Sequence, residues 1–134
     1  MTHFLGPSLV CWATKKQHFV AMSTAEAEYM AAASCCAQRL WIRQQLKDFC
    51  VDTGCILILC DNTTTINISK NPCQHKRTKH IDICHPSLRD NVKNGLISMN
   101  FCATDRQIAD IFTKALSREQ FEWNRLELGM TKRT

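Results

Sequence analysis

The chain is 134 residues long, which fits a single domain over residues 1–134 and leaves little room for a second. Hydrophobic residues make up 45% of it and charged residues 22%, so a packed core is expected and extensive disorder is excluded. The net charge of +5 favours a polyanionic partner, whereas no apolar run reaches the roughly 20 residues of a membrane span and the amino terminus lacks a secretory pattern. We therefore expect an intracellular protein, cytoplasmic or nuclear, without a membrane partner.

The first predicted elements are a strand and a long helix. Ser8 to Thr14 is short, apolar and preceded by Gly6-Pro7, which is typical of a strand. Ser23-Thr24-Ala25-Glu26 is a capping box, so a helix is predicted from Ser23 to about Lys47. Four residues at helical spacing define the face expected to be buried: Ala33, Ala37, Leu40 and Trp41.

The middle of the chain predicts a buried strand between helices. Residues 55–60 are six consecutive apolar residues that end directly before Asp61-Asn62, as in a central strand buried on both faces. A short helix is predicted over 63–69. A further helix is predicted over 78–93, where Asn94-Gly95 would end it.

The last third predicts a strand over 96–101 and two helices. Thr104 to Gln107 forms a second capping box that would begin a helix reaching Lys114, and a carboxy-terminal helix is expected over 117–128, followed by a tail. The order indicates an α/β fold in which helices cover a mostly parallel, mixed sheet. One strand before the first helix makes that sheet thin, so we expect its first strand or strands to be missing.

Two compositional features bear on partners. Nine cysteines, an odd number with two adjacent, indicate reduced thiols in the core rather than a disulfide framework. Residues 70–93 contain six lysines and arginines against two aspartates. Such a basic segment favours nucleic acid, although a solvated basic face explains it equally well.

Three carboxylates could carry chemistry. Asp61 follows the apolar strand, and sites in α/β sheets gather at the carboxyl ends of strands. Glu28 lies in the second turn of the capped helix, and Asp110 lies among apolar residues, where a charge is costly unless it is paired or metal-bound. Clustered acids would bind divalent cations, but each residue could equally be an ordinary surface or capping acid.

Six segments then carry a family resemblance. In order they are Trp12–Gln17, Ser23–Ala31, Leu59–Asn62, Lys70–Pro72, His75–Ile83 and Ala109–Lys114. They resemble the run WSSKKQ, SSTEAEYMA, CDN, KNP, HxRTKHIDI and ADIFTKPL, which closes the polyprotein of copia-type LTR retrotransposons and forms their ribonuclease H domain. The resemblance extends from about Phe4 to Gly129.

This resemblance implies a ribonuclease H-like fold and metal-dependent hydrolysis of RNA in RNA–DNA hybrids during reverse transcription. The family holds two Mg²⁺ ions with an Asp-Glu-Asp-Asp set, of which Glu28, Asp61 and Asp110 match the last three members. Four residues of the basic segment would contact nucleic-acid phosphates: Lys76, Arg77, Lys79 and His80. The reverse transcriptase region upstream would be a further partner in a longer polyprotein.

The sequence also departs from the family pattern. The first aspartate of the set lies upstream of the region matching Phe4, and none of Asp52, Asp82 and Asp90 lies in a segment that could replace it. We therefore expect absent or weak hydrolysis by this chain alone.

Three hypotheses stay open at this point. They are a nuclease module completed by a strand from another chain, a non-catalytic remnant that binds nucleic acid, and a zinc-binding module. The last would use four residues of the basic segment: Cys73, His75, His80 and Cys84.

Overall fold

A computed structural model describes residues 1–14, 16, 20–21, 23–70 and 86–132. The architecture is mixed α/β, as predicted, with two compact units. One unit combines Met1–Phe19 with Cys102–Thr134, and the other is Val20–Phe101. Within the described ranges, no helix combines the length and the apolar character required to cross a bilayer.

The first unit contains a β-hairpin. Strands β1 (Thr2–Leu5) and β2 (Ser8–Trp12) pair antiparallel, and Gly6 turns between them with a φ of +59°, which glycine adopts without steric cost. Sequence patterns predicted β2, although it ends at Trp12 rather than Thr14. They missed β1 because four residues at the chain start are too few to show a periodicity. The Trp12 ring stacks on Phe112, with 6.2 Å between ring centroids.

The predicted α-helix over 104–114 is wrong. Two short 3₁₀-helices, Thr104–Arg106 and Ile108–Phe112, stand in its place, separated by Gln107 in an extended conformation. Ala103 occupies the N-cap position, so the Thr104 hydroxyl lies inside the first turn and cannot cap it. The carboxy-terminal helix, Arg118–Glu127, begins as predicted after Ser117, whose Oγ accepts from the Gln120 amide at 3.2 Å.

The second unit begins with helix α1 (Thr24–Asp48). Ser23 is its N-cap and accepts a hydrogen bond from the Glu26 amide at 3.1 Å, as the capping box predicts. The predicted buried face is wrong in part, because Ala37 is exposed and Trp41 is 64% exposed. The apolar residues of α1 that are buried begin instead at Tyr29, which has the largest apolar area to bury on this face. They are Tyr29, Ala32, Ala33, Cys36 and, half-buried, Leu40.

A two-stranded parallel sheet forms the rest of the core of the second unit. Strand β3 (Ile56–Cys60) pairs with β4 (Ile97–Phe101), so that Ile56 lies opposite Ile97 and Ile58 opposite Met99. Helices α2 (Thr63–Lys70) and α3 (Pro86–Lys93) pack with α1 on this sheet. Gly95, with a φ of +73°, ends α3 as predicted.

The prediction that β3 is buried on both faces is wrong. Burial alternates along the strand, with Ile56, Ile58 and Cys60 in the core but Leu57 and Leu59 about half exposed. Among the described residues, the core cluster that α1, α2 and α3 form with the sheet contains Ile56, Ile58 and Cys60 of β3 but not the alternate side chains of that strand. The described strands thus form two small sheets rather than the one mixed sheet that was predicted.

Candidate metal centre

The site is built at the carboxyl end of β3, where the chain turns into α2. The Asn62 side chain accepts a hydrogen bond from the Thr65 amide at 3.2 Å and thereby caps the helix. The Asn62 amide donates to Cys60 Sγ at 3.5 Å, and the thiol donates back to the Asn62 carbonyl at 3.7 Å. Asp61, half-buried, stands between these two residues, so its backbone is fixed on both sides.

A long-range hydrogen bond brings Glu28 to this turn. Thr65 is fully buried, and its Oγ1 donates to the Ala25 carbonyl at 3.1 Å, joining residues 40 positions apart in the sequence. This bond joins the first turn of α2 to the first turn of α1. Glu28 lies three residues after Ala25, on the same side of α1, and therefore next to the end of β3.

Three potential ligand atoms meet there. A carboxylate oxygen of Glu28, one of Asp61 and the Cys60 Sγ all lie within 4.8 Å of one another. Two of the three predicted catalytic acids are thus brought together. Sequence reasoning missed Cys60, because a cysteine that ends an apolar strand was counted as a small hydrophobe. Its adjacency to Asp61 was the available signal.

The Cys60 thiol is buried, with 5% of its residue surface exposed. Burial raises its pKa above the ordinary value, the Asn62 amide opposes that rise, and the negative charges of Glu28 and Asp61 add to it. In the absence of a cation the sulfur therefore stays protonated at neutral pH. The two carboxylates supply oxygen donors that fit Mg²⁺, whereas a thiol does not suit that ion.

Asp110, the third predicted acid, lies in the 3₁₀-helix Ile108–Phe112 of the first unit and is 8% exposed. Its Oδ2 accepts from the Lys114 ammonium at 3.0 Å, so this buried charge is paired. The ion pair satisfies the requirement for a buried carboxylate among apolar residues. A role for Asp110 beside Glu28 and Asp61 stays a prediction.

The predicted phosphate-contacting residues, Lys76, Arg77, Lys79 and His80, lie outside the described residues. The alternative zinc ligands, Cys73 to Cys84, lie in the same segment. Both remain predictions from the sequence.

Comparison with known proteins gives the ancestry. The chain is 33% identical over 121 residues, 90% of its length, to the retrovirus-related Pol polyprotein from transposon TNT 1-94 of Nicotiana tabacum. It is 34% and 32% identical over 130 residues, 96% of its length, to the corresponding polyproteins from transposons RE1 and RE2 of Arabidopsis thaliana. The chain is homologous to a segment of retrovirus-related Pol polyproteins from plant transposons.

The match covers only a small part of those relatives, since the chain spans 9% of the length of each. No protein-family model and no solved structure matches the chain. The Pol homology therefore supports a retrotransposon-derived fragment, and each of the three relatives is a longer polyprotein.

Proposed function

We propose that this chain is a ribonuclease H-like segment of a copia-type retrotransposon Pol polyprotein, whose activity is metal-dependent hydrolysis of RNA in RNA–DNA hybrids. The observation that carries the proposal is the approach of Glu28 to Asp61 at the end of a parallel strand. Homology to Pol polyproteins and the six motifs support the same assignment.

The donor set is compatible with the proposed Mg²⁺ site. Glu28 and Asp61 offer carboxylate oxygens from two elements that are joined by the Thr65–Ala25 hydrogen bond, so the pair is positioned before a cation arrives. Asp110 would complete the acids contributed by this chain. Bound Mg²⁺ would activate water and stabilise the leaving oxygen. Glu28, Asp61 and Asp110 are the residues that would hold the ions.

The basic residues would bind the hybrid itself. Lys76, Arg77 and Lys79 lie in a segment with a surplus of positive charge, and cationic side chains contact phosphates without reading sequence. Binding without cleavage would be the behaviour of the non-catalytic alternative. The net charge of +5 is compatible with both functions.

A cleavage assay tests the catalytic proposal. The chain alone, incubated with a labelled RNA–DNA hybrid and Mg²⁺, should cleave weakly or not at all, because only three of the four acids have a match in it. The same chain fused behind the segment that precedes the matched region in the tobacco relative should cleave the RNA strand. Asp61→Asn in that fusion should lower the rate by roughly 10³-fold or more.

Asp90→Asn is the matched control, because Asp90 is an exposed aspartate on α3 and lies outside the proposed site. A fusion that binds the hybrid but never cleaves it would refute the catalytic proposal and favour the non-catalytic function. Hybrid binding that does not weaken as salt rises would refute the phosphate-contact proposal.

A further inference from the structure

We propose that Cys60 makes the Glu28–Asp61 pair a binding site for a thiophilic divalent cation, Zn²⁺ or Cd²⁺, in addition to any Mg²⁺ that the carboxylates bind. The juxtaposition that carries this is one sulfur and two carboxylate oxygens within 4.8 Å of one another. Cation binding here does not depend on hydrolysis. Competition between Zn²⁺ and Mg²⁺ for the same acids rests on the proposed function.

The mixed donor set decides which cation fits. Mg²⁺ takes oxygen ligands in near-octahedral geometry, so the Cys60 sulfur contributes nothing to it. Zn²⁺ accepts sulfur and carboxylate oxygen together, and three protein ligands leave its fourth position for solvent. The Cys60 side chain therefore increases the affinity of the cluster for Zn²⁺ or Cd²⁺ but not for Mg²⁺. On coordination the metal replaces the thiol proton, which passes to the buffer.

The geometry requires only small movements. Zinc with Zn–S near 2.3 Å and Zn–O near 2.0 Å places tetrahedral ligand atoms roughly 3.5 Å apart. Ligand atoms within 4.8 Å of one another reach that spacing through an adjustment of about an ångström. Glu28 and Asp61 are only half-buried, so their side chains have room to make it.

The sulfur is the fixed point of the cluster. Cys60 ends β3, lies opposite Phe101 in the parallel ladder, and is held by the Asn62 amide and carbonyl. A purely structural thiol would serve only to shape this turn, a task that serine could perform through the same hydrogen bonds. A zinc ligand has a different requirement, because replacing sulfur by oxygen removes the soft donor.

Titration of the 134-residue chain with Cd²⁺ tests the proposal through the ultraviolet charge-transfer band of cadmium–thiolate bonds. The wild-type protein should bind one equivalent of Cd²⁺ that the Cys60→Ser variant does not bind. Glu28→Gln, which keeps all nine thiols, should weaken that equivalent by on the order of tenfold or more. Cys50→Ser is the matched control, since Cys50 is an exposed free cysteine away from the cluster, and it should bind as the wild type does.

Two results with cysteine variants would overturn the proposal. One is a Cys60→Ser variant that binds Cd²⁺ as the wild type does while its circular dichroism shows it folded. The other is loss of the equivalent only when Cys73 and Cys84 are both replaced by serine, which would place the metal in the basic segment. If Glu28→Gln binds Cd²⁺ normally, the carboxylates are not ligands and the proposal also fails.

Failure here is separable from failure of the proposed nuclease function. Absence of the Cd²⁺ site leaves Mg²⁺-dependent cleavage by the fused chain intact. Conversely, a fusion that does not cleave the hybrid but still shows the Cys60-dependent cadmium band would support the soft-metal site and refute only the proposed nuclease function.

Discussion

Thr65→Val removes a hydrogen bond that ties the first turn of α2 to the first turn of α1. Valine keeps the shape of the buried side chain but cannot donate to the Ala25 carbonyl, which now receives that bond at 3.1 Å. A typical hydrogen bond contributes about 1 kcal/mol net, and a buried acceptor left without its donor costs about 1–3 kcal/mol. Ala25 is only partly buried, so water can compensate in part. We therefore expect the free energy of unfolding to fall by about 1–2 kcal/mol.

Thr64→Val is the matched control, because Thr64 lies on the same helix and is exposed. In urea unfolding followed by circular dichroism, a loss of 1–2 kcal/mol lowers the midpoint by roughly 0.5–1 M when the slope is about 2 kcal/mol per molar urea. Amide hydrogen exchange should speed up in α2 and in the first turns of α1. Equal midpoints for the two variants would refute the role given to this bond.

The same substitution should also loosen the metal centre. Glu28 lies on α1 and Asp61 lies just before α2, and the Thr65 hydrogen bond joins these two helices, so Thr65→Val should weaken Cd²⁺ binding by on the order of tenfold. Thr64→Val should bind Cd²⁺ like the wild type. Unchanged binding by a destabilised Thr65→Val protein would mean that other contacts position the acids.

The remaining predictions concern two other buried groups. Burial raises the pKa of the Cys36 thiol to about 11 from an ordinary value of 9.0, so at pH 8 its thiolate fraction is roughly one hundredfold smaller and iodoacetamide should label it far more slowly than the exposed Cys50. Because the folded protein favours the protonated Cys36 thiol, the contribution of this group to the free energy of unfolding is complete below pH 9 and is lost as the pH rises towards 11. Equal labelling rates for Cys36 and Cys50 would contradict the raised pKa. Lys114→Met should lower the free energy of unfolding by about 1–2 kcal/mol, because it leaves the buried Asp110 carboxylate without its ion pair. A double-mutant cycle with Asp110→Asn measures the coupling, and a value near zero would show that the pair contributes nothing.

Two similar capping patterns show how far sequence reasoning reaches. The Ser23–Glu26 box begins a helix of 25 residues, in which long-range packing reinforces the local signal. The Thr104–Gln107 box does not, because Ala103 takes the N-cap position and Gln107 leaves the helical region. A short segment offers too few helical hydrogen bonds to offset the cost of nucleation, so local contacts decide its conformation.

The candidate site was likewise predicted from the sequence only in part. Residue type and position identified Glu28 and Asp61, since an acid after a strand and an acid on a capped helix are both local patterns. Their approach depends on a hydrogen bond between residues 40 apart, which no local pattern contains. Cys60 was missed for a different reason. A thiol has both apolar and ligand character, and only its neighbours in space show which of the two matters.

The approach of two carboxylates also bears on what loss of activity in Asp61→Asn would mean. Two negative charges up to 4.8 Å apart repel by about 1 kcal/mol even at the dielectric constant of water, and a bound cation would offset that repulsion. Asparagine removes the like charge while preserving the shape of the side chain. The substitution should therefore leave the metal-free protein at least as stable as the wild type. A cation that binds only the folded state adds stability in proportion to the logarithm of its concentration over its dissociation constant, and this gain should shrink in Asp61→Asn. Loss of cleavage together with undiminished metal-free stability would thus point to a lost ligand rather than to a lost fold.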